Sequence, residues 1–158
     1  MHVRKALASD AIRMTKLDRI CFPKNIAYSR LLFDDLLECC AKWSFVAEDE
    51  SGELAGFVIG VMTSKKWAHM ITIDVHPDHR RKSLGADLMR LAEKELYGEG
   101  AKRIFLEVME TDQGALSFYE SLGYSSIAIQ KHYYGKGKHA KVLMKRLEAG
   151  FEHQARLC

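Results

Sequence analysis

The chain has 158 residues, 47% of them hydrophobic, with a formal net charge of +3. That is enough for one compact core and too little positive charge to single out a nucleic-acid binder. Its longest strongly apolar run, LAGFVIGVM at 54–62, is about half of a membrane span, and no N-terminal stretch has the layout of a signal peptide.

Taken in chain order, HVRKA reads as a short strand, and Ser9 or Asp10 is placed to cap a helix that runs to about Cys21. FPKN breaks the pattern. YSRLLFDDLLECCA has helical spacing with an acidic flank, and SFVAED and LAGFVIGVMTS read as strands joined by the turn DESGE with Gly52 at its tip. HMITIDV is a largely apolar strand expected in the sheet interior. After the basic loop HPDHRRK, SLGADLMRLAEKELYGEG places Leu84, Leu88, Leu91 and Leu96 near helical spacing and stops at Gly98 and Gly100. KRIFLEVM is a strand, and TDQGALSFYESLG a short helix capped at Thr111 or Asp112. YSSIAIQKHYY and HAKVLMKRL form a closing strand pair around GKGK. The order β, α, α, three strands, α, β, α, two strands predicts an α/β fold, a mixed central sheet with helices on both faces. No linker or repeat divides it, so one domain is expected over residues 1–150, with FEHQARLC, 151–158, as a frayed tail.

The four cysteines, Cys21, Cys39, Cys40 and Cys158, form no CxxC pair and no cluster with histidine, so no metal is expected. Free thiols suit a soluble protein of a reducing compartment, here the cytoplasm. Lys131, Lys136, Lys138, Lys141, Lys145 and Arg146 make the C-terminal segment basic, while Asp34, Asp35 and Glu38 make an earlier helix acidic; both read as solvated faces.

Arg80, Arg81 and Lys82 stand directly ahead of a helix N-terminus, where the dipole already carries positive character and further cations are mildly repelled. The arrangement asks for an anion. A strand leading through a basic loop into a helix holds phosphate well, because several backbone N–H groups converge there and Gly85 and Ala86 let backbone come close. Neither GxxxxGK[ST] nor GxGxxG is present.

The spacing V-x-P-x-x-R-x-x-S-x-G, Val75 to Gly85, instead resembles the acetyl-CoA signature R/Q-x-x-G-x-G/A of the GNAT acetyltransferase superfamily. ALSFYESLGY resembles that family's A-x-x-x-Y-x-x-x-G-F segment. The resemblance covers roughly the whole chain and is most specific from His69 to Tyr134. Three features are similar to the protein N-terminal (Nα) acetyltransferases and the ribosomal-protein alanine acetyltransferases. These are FPKN after the first helix, AHMITIDV, and the tyrosine pair of KHYY, Lys131 to Tyr134.

The resemblance implies the GNAT acyl-CoA acyltransferase fold and transfer of acetyl from acetyl-CoA to the α-amine of a protein or peptide, by direct attack and without a covalent enzyme intermediate. Ribosomal proteins or nascent chains would be the partners. By the same resemblance, the backbone of Ile73, Asp74 and Val75 receives the thioester. Arg80, Arg81, Lys82, Ser83, Leu84, Gly85 and Ala86 hold the pyrophosphate. Asp112, Ala115 and Tyr119 meet the coenzyme, with Tyr119 protonating the leaving thiolate. Glu107 stands where relatives place the base, and His69 shares the proton route. Phe22, Pro23, Tyr133 and Tyr134 border the peptide.

Three positions depart from the pattern. Ser83 stands where the family usually has glycine, and Asp112 where it usually has asparagine. Lys24 stands where one branch has a catalytic glutamate. Lysine side chains or small-molecule amines are alternative acceptors. A non-catalytic coenzyme-binding module, or a phosphate-backbone contact through His76, His79 and HRRK, are rivals of another class; the aromatic residues that stacking on bases needs are missing beside HRRK.

Overall fold

The computed structural model describes residues 1–150. The expected tail, 151–158, lies outside the described residues. In chain order the elements are β1 (His2–Lys5), α1 (Ala11–Cys21), α2 (Arg30–Cys40), β2 (Phe45–Glu48), β3 (Leu54–Met62), β4 (Trp67–Val75), α3 (Leu84–Gly98), β5 (Arg103–Met109), α4 (Gln113–Ser121), β6 (Ser125–Gln130) and β7 (Ala140–Arg146). The strands form one mixed sheet ordered β1-β2-β3-β4-β5-β7-β6. β4 is its middle strand, as its apolar sequence predicts. The chain divides into two compact units, residues 1–61 with 71–96, and residues 62–70 with 97 onward, so β4 contributes to both.

In the first unit β1, β2 and β3 are antiparallel. Gly52, at the tip of the β2–β3 turn, takes φ +82°, which glycine adopts without steric penalty. Leu84 and Leu88 of α3 lie over Gly56 of β3. A Cβ at Gly56 would come 2.9 Å from the Asp74 carbonyl oxygen and 3.2 Å from Leu88, so only glycine admits the helix this closely. Phe33 of α2 meets Phe57 of β3 edge to face at 5.6 Å, and both are fully buried. Ser29 caps α2 by accepting the Leu32 N–H at 3.2 Å.

The start of α1 departs from expectation. Asp10 occupies the cap position, but its carboxylate makes no cap bond. It accepts the Leu7 N–H at 2.9 Å and two bonds from the Arg4 guanidinium, at 2.7 and 2.8 Å. Arg4 and Arg13 also each reach Glu48 at 2.7 Å, so a bidentate, charge-assisted network displaces the cap.

In the second unit β5 pairs parallel with β4 and antiparallel with β7, and β6 closes the edge against β7. Ile104, Leu106 and Val108 are buried on one face of β5, while Arg103, Phe105, Glu107 and Met109 are half-buried, as strand alternation predicts. The last strand pair is shorter than expected. β6 stops at Gln130, and Lys131–Tyr134 form a turn because side chains take over from the ladder. The His132 N–H donates to His139 Nδ1 at 2.9 Å, the Gly137 N–H to His132 Nδ1 at 2.8 Å, and His132 sits at φ +59°.

Candidate active site

In the second unit the parallel ladder joins Trp67 to Arg103, Ala68 to Ile104 and His69 to Phe105. His69 is the last β4 residue in it, and Glu107 is two residues further along β5. His69 Nε2 and Glu107 Oε2 are 2.6 Å apart, with side chains 22% and 12% exposed. A carboxylate only accepts, so Nε2 carries the hydrogen and Nδ1 of a neutral His69 is left as an acceptor. The imidazole also stacks on Phe105, ring centroids 4.5 Å apart and planes within 3°, which fixes its orientation. The pair has the geometry to receive a proton and stabilise it there.

The tyrosines lie beside this pair. Tyr134 Oη donates to the Glu107 carbonyl at 3.3 Å, tying the turn between β6 and β7 to β5. Tyr133 packs edge to face on Tyr134 at 4.8 Å and is 42% exposed. Burial, followed by the neighbouring charge of Glu107, holds its hydroxyl above the usual phenol range. On α4, Asp112 accepts the Ala115 N–H at 2.9 Å, so the expected cap falls to Asp112 rather than Thr111. Tyr119, half-buried, packs against Phe118 at 5.2 Å and Tyr124 at 5.9 Å.

In the first unit β4 ends at Val75, and a single 3-10 turn, Pro77–His79, starts the basic loop. Two of its three cations fold back, one on the end of β4 and one on the loop itself. Arg80 Nε donates to the Val75 carbonyl at 2.9 Å, and Lys82 Nζ to the Asp78 carbonyl at 3.1 Å. Arg81 and Ser83 take φ +58° and +61°. Ser83 thus adopts the conformation that glycine takes at no steric cost, and its hydroxyl donates to Asp87 at 3.1 Å. The first N–H groups of α3, at Leu84, Gly85 and Ala86, have no carbonyl of their own helix to bond, so the loop presents donors at a positive helix end. That chemistry fits a pyrophosphate.

The segment after α1 is also in this unit. The Ile26 and Ala27 N–H groups bond the Pro23 carbonyl at 2.8 and 2.9 Å, folding Phe22–Ser29 into a compact loop. Phe22 is half-buried, while Pro23 and Lys24 are exposed. Arg19, Lys24, Ala27, Tyr28 and Ser29 line a cavity of about 670 Å³ beside it.

A buried carboxyl pair in the first unit is absent from the sequence-based expectations. Asp18 and Asp74 are 2% and 1% exposed. Burial, then the charge of Asp18, holds Asp74 well above the ordinary carboxylate range, and burial raises Asp18 as well. The family resemblance involves Asp74 through its backbone alone. The available signal was an acid inside the apolar run HMITIDV. No group of three or more His, Cys, Asp and Glu residues is arranged to hold a metal ion among the described residues, and no helix there is long and apolar enough to cross a membrane.

Residues 11–124 match the acetyltransferase (GNAT) family. The chain is similar to an N-alpha-acetyltransferase of Sulfurisphaera tokodaii, 28% identical over 155 residues that span 89% of this chain and 90% of that protein. It is also similar to the [ribosomal protein bS18]-alanine N-acetyltransferase of Escherichia coli K12, 33% identical over 85 residues, 54% of this chain and 57% of that one. Among solved structures, Ard1 from Thermoplasma volcanium superposes with a TM-score of 0.86 at 20% identity, covering 93% of this chain and 97% of that chain.

Proposed function

Because the chain belongs to the acetyltransferase (GNAT) family, we propose that it moves the acetyl group of acetyl-CoA to the N-terminal α-amine of proteins or peptides. The observation that carries the catalytic reading is the 2.6 Å contact between His69 and Glu107 on two neighbouring strands. The relatives named N-alpha-acetyltransferase and [ribosomal protein bS18]-alanine N-acetyltransferase support the choice of acceptor.

Amine chemistry makes the pair sufficient. An α-amine titrates at roughly 8 and is partly neutral near pH 7.4, whereas lysine, at about 10.4, costs roughly 3 to 4 kcal/mol more to neutralise. Glu107 takes the proton of the incoming ammonium, directly or through His69 Nδ1, and His69 holds the carboxylate in one rotamer. The freed nitrogen attacks the thioester carbonyl, whose developing oxyanion is stabilised by backbone N–H groups of Ile73, Asp74 and Val75. The carbon–sulfur bond then breaks, and Tyr119 gives a proton to the departing thiolate. Arg80 to Ala86 bind the pyrophosphate, largely through main-chain N–H. Asp112 and Ala115 line the pantetheine arm. Phe22, Pro23, Tyr133 and Tyr134 border the peptide.

Direct attack agrees with the state of Cys21, the half-buried thiol at the end of α1. Burial, helped by Asp74, pushes Cys21 up to about 11, and its Sγ lies 3.5 Å from the Val75 carbonyl. A thiol held protonated is a poor nucleophile. We further propose that residues 1–150 act as one catalytic domain in the reducing cytoplasm, on ribosomal proteins or nascent chains.

The test is a coenzyme-release assay with Glu107→Gln. The amide keeps an oxygen for the His69 hydrogen bond and loses the base, so kcat is expected to fall about a hundredfold or more. Undiminished turnover removes Glu107 from the mechanism.

A further inference from the structure

The reaction above leaves the Asp18–Asp74 pair unused. Asp18 holds both ends of the Phe22–Ser29 loop: its main-chain carbonyl accepts the Phe22 N–H at 2.8 Å, and its Oδ2 accepts the Tyr28 N–H at 2.6 Å. Its side chain faces Asp74 within hydrogen-bonding reach. Asp74 Oδ1 accepts from Thr72 at 2.9 Å, while Oδ2, fully buried, has no donor among the described residues.

Two carboxylates meeting here set acceptor against acceptor. The charged and titratable groups around them are Arg19 and Cys21 on α1 and Arg80 beyond β4. None of these forms a salt bridge with either acid among the described residues. Both anions would be left with Coulomb repulsion in a dry site, and Asp74 Oδ2 with an unmet hydrogen bond. One proton between them removes both penalties at once.

We propose that Asp18 and Asp74 share one proton, and that this pair tethers the Phe22–Ser29 loop to β4, making Asp18 a positioning residue for the acceptor peptide. The second half rests on the reading that Phe22 and Pro23 border the peptide. Loss of the shared proton at higher pH sets two anions against each other, strains the Tyr28 bond and loosens the loop. Peptide KM then rises while kcat changes little.

The experiment compares Asp18→Asn and Asp18→Ala with the wild type, measuring peptide KM and kcat across pH and amide exchange at Tyr28. Asparagine offers an oxygen to the Tyr28 N–H and an amino group to Asp74 without titrating; alanine offers neither. The ratio of wild-type to Asp18→Asn KM cancels the titration of the peptide's own amine and is expected to climb with pH. Asp18→Ala is expected to raise peptide KM roughly tenfold, the scale of one charge-assisted hydrogen bond, and to speed Tyr28 exchange. Asp18→Asn should stay within about twofold of wild type at low pH and protect Tyr28.

Unchanged Tyr28 exchange in Asp18→Ala, a flat ratio, or an asparagine variant that behaves like alanine overturns the tether. Faster Tyr28 exchange with an unmoved KM overturns the positioning of the acceptor. Wild-type protein that releases no coenzyme overturns the proposed function instead, and the Tyr28 amide alone then decides the tether.

Discussion

Histidine at position 69 is held from two sides, by Glu107 through one ring nitrogen and by Phe105 through its face. His69→Phe keeps the stack and removes the hydrogen bond, so Glu107 stays present but loses its fixed rotamer. Steady-state kinetics should show kcat down about tenfold with acetyl-CoA KM unmoved; unaltered kcat would assign His69 to packing alone. Ser83 offers a second test at this scale, because a Cβ at φ +61° is strained. Ser83→Gly should add about 0.5 to 1 kcal/mol of stability and tighten acetyl-CoA binding, since the lost hydroxyl bond to Asp87 is solvent-exposed. Calorimetric melting and titration check both; a lower melting temperature with unchanged affinity would contradict the strain argument. Glu107 could be read from sequence because an acid at an alternating position of an otherwise apolar strand is conspicuous. The Asp18–Asp74 pair could not, because it joins residues distant along the chain: the acid inside HMITIDV is conspicuous, but nothing in the sequence names Asp18 as its partner.

The elements themselves were legible from hydrophobic period and turn chemistry, and the reading failed where side chains compete with backbone. Asp10 left its cap for Arg4, and the His132–His139 bond ended β6 at Gln130. Asp112 does cap α4, through Ala115. Asp112→Ala should therefore destabilise the fold by about 1 kcal/mol, read from the urea midpoint; an unmoved midpoint would contradict the cap. The register between β5 and β7 sets Arg103 directly opposite Arg146. Like charges opposite one another across two strands weaken a sheet, although Arg103 also sits 5.4 Å over the Trp67 ring. Arg146→Glu should stabilise the protein by about 0.5 kcal/mol, and loss of stability in urea would show that the repulsion is already screened.

For the whole molecule, two sets of carboxyls oppose each other in pH. Burial raises Asp10, but the Arg4 hydrogen bonds and the Leu7 N–H outweigh it and hold the group below its ordinary value. Its contribution is present above the unfolded pKa and lost as pH falls through the folded one. Asp18 and Asp74 are raised, so the folded state binds more protons than the unfolded chain. Their contribution is complete below the ordinary carboxylate range and lost as pH rises through the folded values. Asp74→Asn should flatten the decline of stability between the ordinary carboxylate range and the raised folded values, while Asp10→Ala should cost about 2 to 3 kcal/mol at neutral pH and little in strong acid. Denaturant midpoints across pH test both signs.

The central claim, acetyl transfer to an α-amine, is tested most directly by offering the protein acetyl-CoA with one peptide in two forms, its N-terminus free or chemically blocked, both carrying an internal lysine. Coenzyme release and peptide mass are followed together. Release is expected with the free form only, with one acetyl group mapped to the first residue. Equal release with the blocked form, or acetyl mapped to the lysine, would contradict that claim.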